Sequence, residues 1–109
     1  MKPLVWLGSS LEEVRSFSDE ARREIGYQLY KVQDGLEPSD WKPIPSLAPG
    51  VQEIRVHTEN EYRVLYVAKF SDAVYVLHAF IKKTPRTTKR DLELARERLV
   101  GLMRARRAP

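Results

Sequence analysis

The residues with the most chemical potential are cations set inside or at the ends of apolar runs. Tyr62-Arg63-Val64-Leu65-Tyr66-Val67-Ala68 carries one arginine within a β-forming stretch, and Val74-Tyr75-Val76-Leu77-His78-Ala79-Phe80-Ile81 ends in Lys82-Lys83-Thr84-Pro85. A cation inside a buried strand is costly unless an anion rewards it. Two neighbouring strands that place fixed positive charge near one spot suggest a phosphate site. Arginine offers a phosphate a bidentate fork, and lysine offers a compact charge. Arg63 has an alternative reading as a structural ion pair with Glu53 or Glu61. On the preceding strand, alternation puts Glu53, Arg55 and His57 on one face. Imidazole titrates near neutrality, so His57 beside Arg55 is a candidate base. His78 lies deep in an apolar strand and reads as a satisfied core histidine. The two histidines form no His-x-x-x-His pair and have no carboxylate set nearby, so no metal site is expected. None of the seven serines lies in Gly-x-Ser-x-Gly, and the absence of cysteine removes thiol nucleophiles, disulfides and the commonest zinc ligand.

The elements that must position these groups follow from periodicity and punctuation. Leu4-Val5-Trp6 reads as a short strand. Ser10-Leu11-Glu12-Glu13 matches a capping box opening a helix to about Phe17, and Ser18 caps a second helix with Asp19 and Glu20 in its first turn. Ile25, Leu29 and Val32 form that helix's apolar stripe, and Gly35 stands where a C-terminal glycine is expected. Residues 36–50 hold Pro38, Pro43, Pro45 and Pro49 and predict a long connection stapled by Trp41 and Ile44. Three strands follow, Val51–Thr58, Tyr62–Lys69 and Ala73–Lys82, joined by tight turns at 59–61 and 70–72. Thr87 or Thr88 then caps a last helix striped by Leu92, Ala95, Leu99 and Leu102. The order β-α-α-β-β-β-α predicts an α+β fold, an antiparallel sheet with helices packed on one face.

At 109 residues the chain suits one domain, with about 104–109 expected as a frayed basic tail. Its 42% hydrophobic content favours folding over disorder. No apolar stretch approaches the ~20 residues of a membrane span, and the N-terminus is too short for a signal peptide, so a soluble cytoplasmic protein is expected. Residues 82–109 hold ten Lys/Arg against three acids, a net +7, whereas residues 1–81 carry −3. That polarity fits an acidic partner or nucleic acid; the bland alternative is a solvated basic helix.

This order, with an arginine opening the second hairpin strand and Lys82-Lys83-Thr84 closing the last, resembles the RelE/ParE toxin superfamily. The segments Val76–Pro85 and Arg90-Asp91-Leu92-Glu93-Leu94-Ala95 resemble its HigB-type, phage-derived branch most closely, and the resemblance runs from Val5 to Leu99. It implies a type II toxin that cuts mRNA on the ribosome without metal or cofactor and is silenced by a cognate helix-turn-helix antitoxin. Superfamily members of the ParE kind bind DNA gyrase instead, and a non-toxic phage-derived interaction module is a third reading.

Metal-free RNA cleavage uses the neighbouring 2′-hydroxyl as nucleophile. The protein must then stabilise a phosphorane and protonate the 5′-oxygen, and fixed cations suit the first of these tasks. By resemblance, Arg63 holds the scissile phosphate, Lys83 stabilises transition-state charge, and Arg55, after a one-residue shift, contacts phosphate or aids the base. Lys82 projects away from Lys83 in a regular strand and, with Arg86, Lys89 and Arg90, is expected to contact RNA or the antitoxin. Several relatives place a tyrosine or histidine in the final segment. Here Arg86-Thr87-Thr88-Lys89-Arg90 holds neither, which leaves Lys89 as a proton donor and Tyr62 or Tyr66 as stacking surfaces.

Overall fold

The computed structural model describes residues 1–107. The order is β1 (Leu4–Trp6), α1 (Ser10–Arg15), α2 (Asp19–Gln33), β2 (Trp41–Pro43), β3 (Val51–His57), β4 (Glu61–Val67), β5 (Val74–Ile81) and α3 (Lys89–Arg107). The fold is α+β with the expected order and one addition: the proline-rich connection contributes the three-residue strand β2. A proline is tolerated there because β2 is an edge.

The strands lie in the order β1-β5-β4-β3-β2. β1 runs parallel to β5, and the other pairs are antiparallel, so the sheet is mixed rather than wholly antiparallel. The helices also divide between the two faces instead of sharing one. Val14 of α1 and Ala21, Ile25, Leu29 and Val32 of α2 bury against Ile54, Val56, Val64, Val74 and Val76. Ala95, Leu99 and Leu102 of α3 bury against Val51, Leu65, Val67, Tyr75, Leu77 and Phe80 on the other side. The physical reason lies in β4 and β5, which are apolar at nearly every position rather than at alternate ones. Such strands need cover on both faces.

Local chemistry sets the helix ends. Ser18 Oγ accepts from Ala21 N–H and caps α2. At its other end Gly35, with φ +80°, donates to Val32 O at 3.0 Å, and Leu36 N–H donates to Lys31 O at 2.8 Å, a complete Schellman pair. α1 begins one residue earlier than its capping box predicts. Ser9 is the flanking residue and Ser10 is fully buried, its hydroxyl donating to Val76 O at 3.2 Å. Thr88, not Thr87, caps α3: its Oγ1 accepts from Asp91 N–H at 3.2 Å. α3 continues through Arg107, so the tail expected to fray is helical that far; Ala108 and Pro109 lie outside the described residues.

One irregularity aims a side chain. Leu65 pairs with His78 and Tyr66 with Val76, which leaves Leu77 as an extra residue in β5. This bulge lets Leu77 join the α3-side core while His78 also turns toward α3.

Candidate anion-binding site

Antiparallel pairing brings the end of β3, the start of β4 and the end of β5 to one rim. Arg55 lies directly across from Arg63, and Arg63 across from Phe80. Like charges in that position repel. Glu53 resolves the conflict: its Oε1 lies 3.2 Å from Arg55 Nε and 3.8 Å from Arg63 Nε. The chain of charge continues outward. Glu61 Oε1 is 3.4 Å from both Nη atoms of Arg63 and accepts from His57 Nδ1 at 2.6 Å, while His57 Nε2 donates to Asp40 Oδ2 at 2.6 Å. Arg55, Glu53, Arg63, Glu61, His57 and Asp40 thus alternate in sign, three cations against three carboxylates.

This network changes what the predicted residues can do. Arg63 is 6% exposed, donates to Tyr62 O at 2.9 Å, and leaves Nε without a hydrogen bond. Its nearest carboxylates are Glu53, buried, and Glu61, exposed, the two partners weighed against the phosphate role. His57 has both ring nitrogens committed. Hydrogen bonds to Asp40 first and Glu61 second raise its pKa and favour the protonated ring, and both nitrogens face carboxylates rather than the open rim. Arg55 spends Nε on Glu53, and its Nη groups make no hydrogen bond among the described residues. With His57 it lines a cleft of about 380 Å³ against α2.

The lysines are placed differently from expectation. Lys82 N–H donates to Glu61 O at 2.7 Å, two residues beyond the Arg63–Phe80 pair. Two residues on from Phe80, Lys82 follows the side of the sheet that carries Arg63, whereas Lys83 lies past the last ladder bond and is exposed. Lys82, Lys83, Arg86 and Arg90 have no carboxylate within 4.0 Å among the described residues. Lys89 reaches Glu93 at 3.8 Å, an exposed pair. Tyr62 and Tyr66 are each 1% exposed on the α1 and α2 side, so neither is available to stack a base.

A second charged cluster was not resolved by the sequence beyond the statement that His78 is satisfied. His78, 3% exposed, donates from Nδ1 to Glu13 Oε1 at 2.9 Å and from Nε2 to Asp91 Oδ1 at 2.7 Å. Arg98 clasps both oxygens of Glu13 at 3.0 Å and donates to Leu77 O at 3.0 Å. Burial pushes Glu13 up, but hydrogen bonds from His78, Arg98 and Ala79 N–H outweigh it and hold the carboxyl at about 2. Burial opposes charge on His78 as well, yet the two carboxylates raise its pKa. The cluster ties α1, β5 and α3 together and is closed to a substrate.

No described helix is long and apolar enough to cross a membrane. No curated protein matches the chain. Residues 12–100 match the family model for phage derived protein Gp49-like (DUF891), a span that takes in both charged clusters and leaves out β1, the start of α1 and the end of α3. The chain therefore belongs to the phage-derived, toxin-like Gp49 family.

Proposed function

We propose that this protein is the toxin of a type II toxin–antitoxin system of the RelE/HigB type, a metal-independent endonuclease acting on mRNA at the ribosome and held silent by a helix-turn-helix antitoxin. The observation that carries the reading is the run Lys82, Lys83, Arg86 and Arg90. These cations are free of described carboxylates, and the first of them, Lys82, lies at the rim that holds Arg55 and Arg63. Family membership supplies the toxin context.

In this scheme the RNA 2′-hydroxyl gives its proton to solvent water and attacks the adjacent phosphorus, and the P–O5′ bond breaks to leave a 2′,3′-cyclic phosphate and a free 5′-hydroxyl. Lys82, Lys83 and the open Nη groups of Arg55 offset the phosphorane charge. Preorganised donors of this kind typically contribute ~3–4 kcal/mol each to barrier lowering. His57, whose raised pKa favours the protonated ring, takes the acid side of the reaction, facing the leaving 5′-oxygen. Arg63 supplies fixed positive potential from below and orients Glu53 and Glu61.

The test is induced expression with mapping of message ends. Cuts confined to translated messages support the reading, and intact messages end it. Lys82→Glu with Lys83→Glu should abolish cutting without changing the melting temperature, because neither side chain has a charged partner among the described residues. Arg63→Ala is a poor probe, since it strips Glu53 of one of its two cations and should cost about 3 kcal/mol of stability. Arg63→Lys keeps the charge and loses the fork, so lost cutting with retained folding would assign Arg63 to the reaction.

A specific observation favours a second reading. The Arg55-to-Asp40 network is neutral within itself, as a non-catalytic surface would be. A toxin that binds gyrase, or a phage-derived interaction module, fits that neutrality. DNA damage with intact messages would favour the former, and no toxicity at all the latter.

A further inference from the structure

The guanidinium of Arg63 is unusually poorly served for so buried a cation. It makes one good hydrogen bond, to Tyr62 O; its Nε has none; its contact with Glu53 stretches to 3.8 Å, and both contacts with Glu61 to 3.4 Å. Buried charges usually persist only when well paired and fully hydrogen-bonded. The two carboxylates beside it are not equivalent. Glu53 is 2% exposed and fixed in the sheet, whereas the Glu61 side chain is 47% exposed beside the turn of the β3–β4 hairpin. Glu61 is also held elsewhere: His57 donates to it at 2.6 Å and is itself anchored on Asp40 at 2.6 Å.

We propose that Glu61 is a built-in competitor for the RNA phosphate. Its carboxylate occupies the outer side of Arg63 at rest, and a phosphodiester oxygen replaces it there. The inference rests on the RNA-directed reading above and adds how the site is closed when empty. The exchange is cheap for the protein because Glu61 keeps its short bond to His57 when the long contacts to Arg63 break. The incoming anion meets Lys82 at the same rim, where the Lys82 backbone N–H already bonds Glu61 O. His57 and Asp40 act as the latch that receives Glu61, and Glu53 keeps Arg63 in place throughout. The device leaves a buried arginine compensated in the absence of RNA and releases it to a phosphate on contact.

The experiment compares binding of a labelled single-stranded RNA oligonucleotide by the intact protein, by Glu61→Gln and by Glu59→Gln, at fixed ionic strength. Glu59 lies in the same turn but bonds Thr58, Tyr62 and Ser18, so it controls for the loss of one negative charge. Glu61→Gln should bind roughly fivefold tighter than Glu59→Gln, the value of about one exposed ion pair. That excess should vanish when Arg63→Gln is added. Equal gains from the two single variants, or a gain that survives Arg63→Gln, overturn the proposal. In the unsubstituted protein, the Arg63 Nε–H resonance should shift when RNA is added, and an unmoved resonance overturns the proposal even if Arg63→Gln does not fold. If Lys82→Glu with Lys83→Glu removes RNA binding while Glu61→Gln behaves as Glu59→Gln, the competitor role fails and the RNA reading stands. If neither the natural protein nor Glu61→Gln binds RNA, both fail.

Discussion

At the scale of single residues, the two histidines share one arrangement with opposite accessibility. Each places both ring nitrogens on carboxylates, His57 half exposed at the rim and His78 sealed between α1, β5 and α3. The groups facing His78 are Glu13 from α1 and Asp91 and Arg98 from α3, with Phe80 stacked at 5.3 Å on its own strand. Because the folded state raises the pKa of His78, its contribution to stability is complete below the ordinary value of 6.5 and fades as pH rises through the raised one. Glu13 has the opposite sign: its contribution is present above 4.5 and is lost as pH falls toward about 2. Thermal melting of the natural protein should therefore decline on the alkaline side of pH 6.5. His78→Gln should be less stable by about 2–3 kcal/mol at pH 6, and its alkaline decline should be shallower. Parallel declines in the two proteins would remove His78 as the cause; His57 titrates in the same direction, but solvent screens it. Part of this was legible in advance. Glu53 and Glu61 stand two residues from Arg55 or Arg63 along β-strands, so alternation alone makes them partners. Asp40, 17 residues from His57, and Glu13, 65 residues from His78, are brought in by tertiary packing that no local pattern encodes.

At the scale of elements, caps and stripes were informative because they depend on neighbours within one turn. Ser18, Gly35, Thr88 and the stripe Ala95, Leu99 and Leu102 all do what their spacing implies. Which side of the sheet a helix covers is not a local property, since a stripe shows only which flank of the helix is buried. The signal for two-sided cover was nevertheless present in β4 and β5, whose apolar residues run consecutively. β2 was hidden by prolines that an interior strand would forbid and an edge tolerates. Two glycines of α2 and its terminus give opposite expectations. A Cβ at Gly35 would touch nothing within 4 Å, but φ of +80° strains any L side chain, so Gly35→Ala should cost about 1 kcal/mol. Gly26 is exposed within the helix, with equal room and no positive φ, so Gly26→Ala should stabilise by up to ~1 kcal/mol. Melting both variants side by side checks the sign of each; a stabilising Gly35→Ala would contradict the Schellman ending.

At the scale of the whole molecule, charge and connectivity are both lopsided. Asp40, Glu53, Glu61 and Glu13 of the acidic segment 1–81 are engaged at the rim and around His78, while several cations between Lys82 and Arg90 stay unpaired among the described residues. β1 is one of the two edge strands, joined only to β5, and is moored by Lys2 Nζ on Ala68 O and Phe70 O at 2.5 and 2.8 Å. Native-state hydrogen exchange should find the amides of Val5 and Trp6 opening at lower free energy than those of β4, which is flanked on both sides. Equal protection in the two strands would show that the sheet opens only as one unit.

The parallel union of Leu4 with Val74 also imposes an order of events. Hairpins 51–67 and 61–81 can close as soon as they are made, since their partners are sequence neighbours. The first three-residue strand has no berth until about 70% of the chain exists, and bridging so wide a gap carries the largest loop-closure entropy in the sheet. The start of this polypeptide is thus the last piece of the sheet to be claimed, and anything appended there would weigh on assembly at its final step rather than its first.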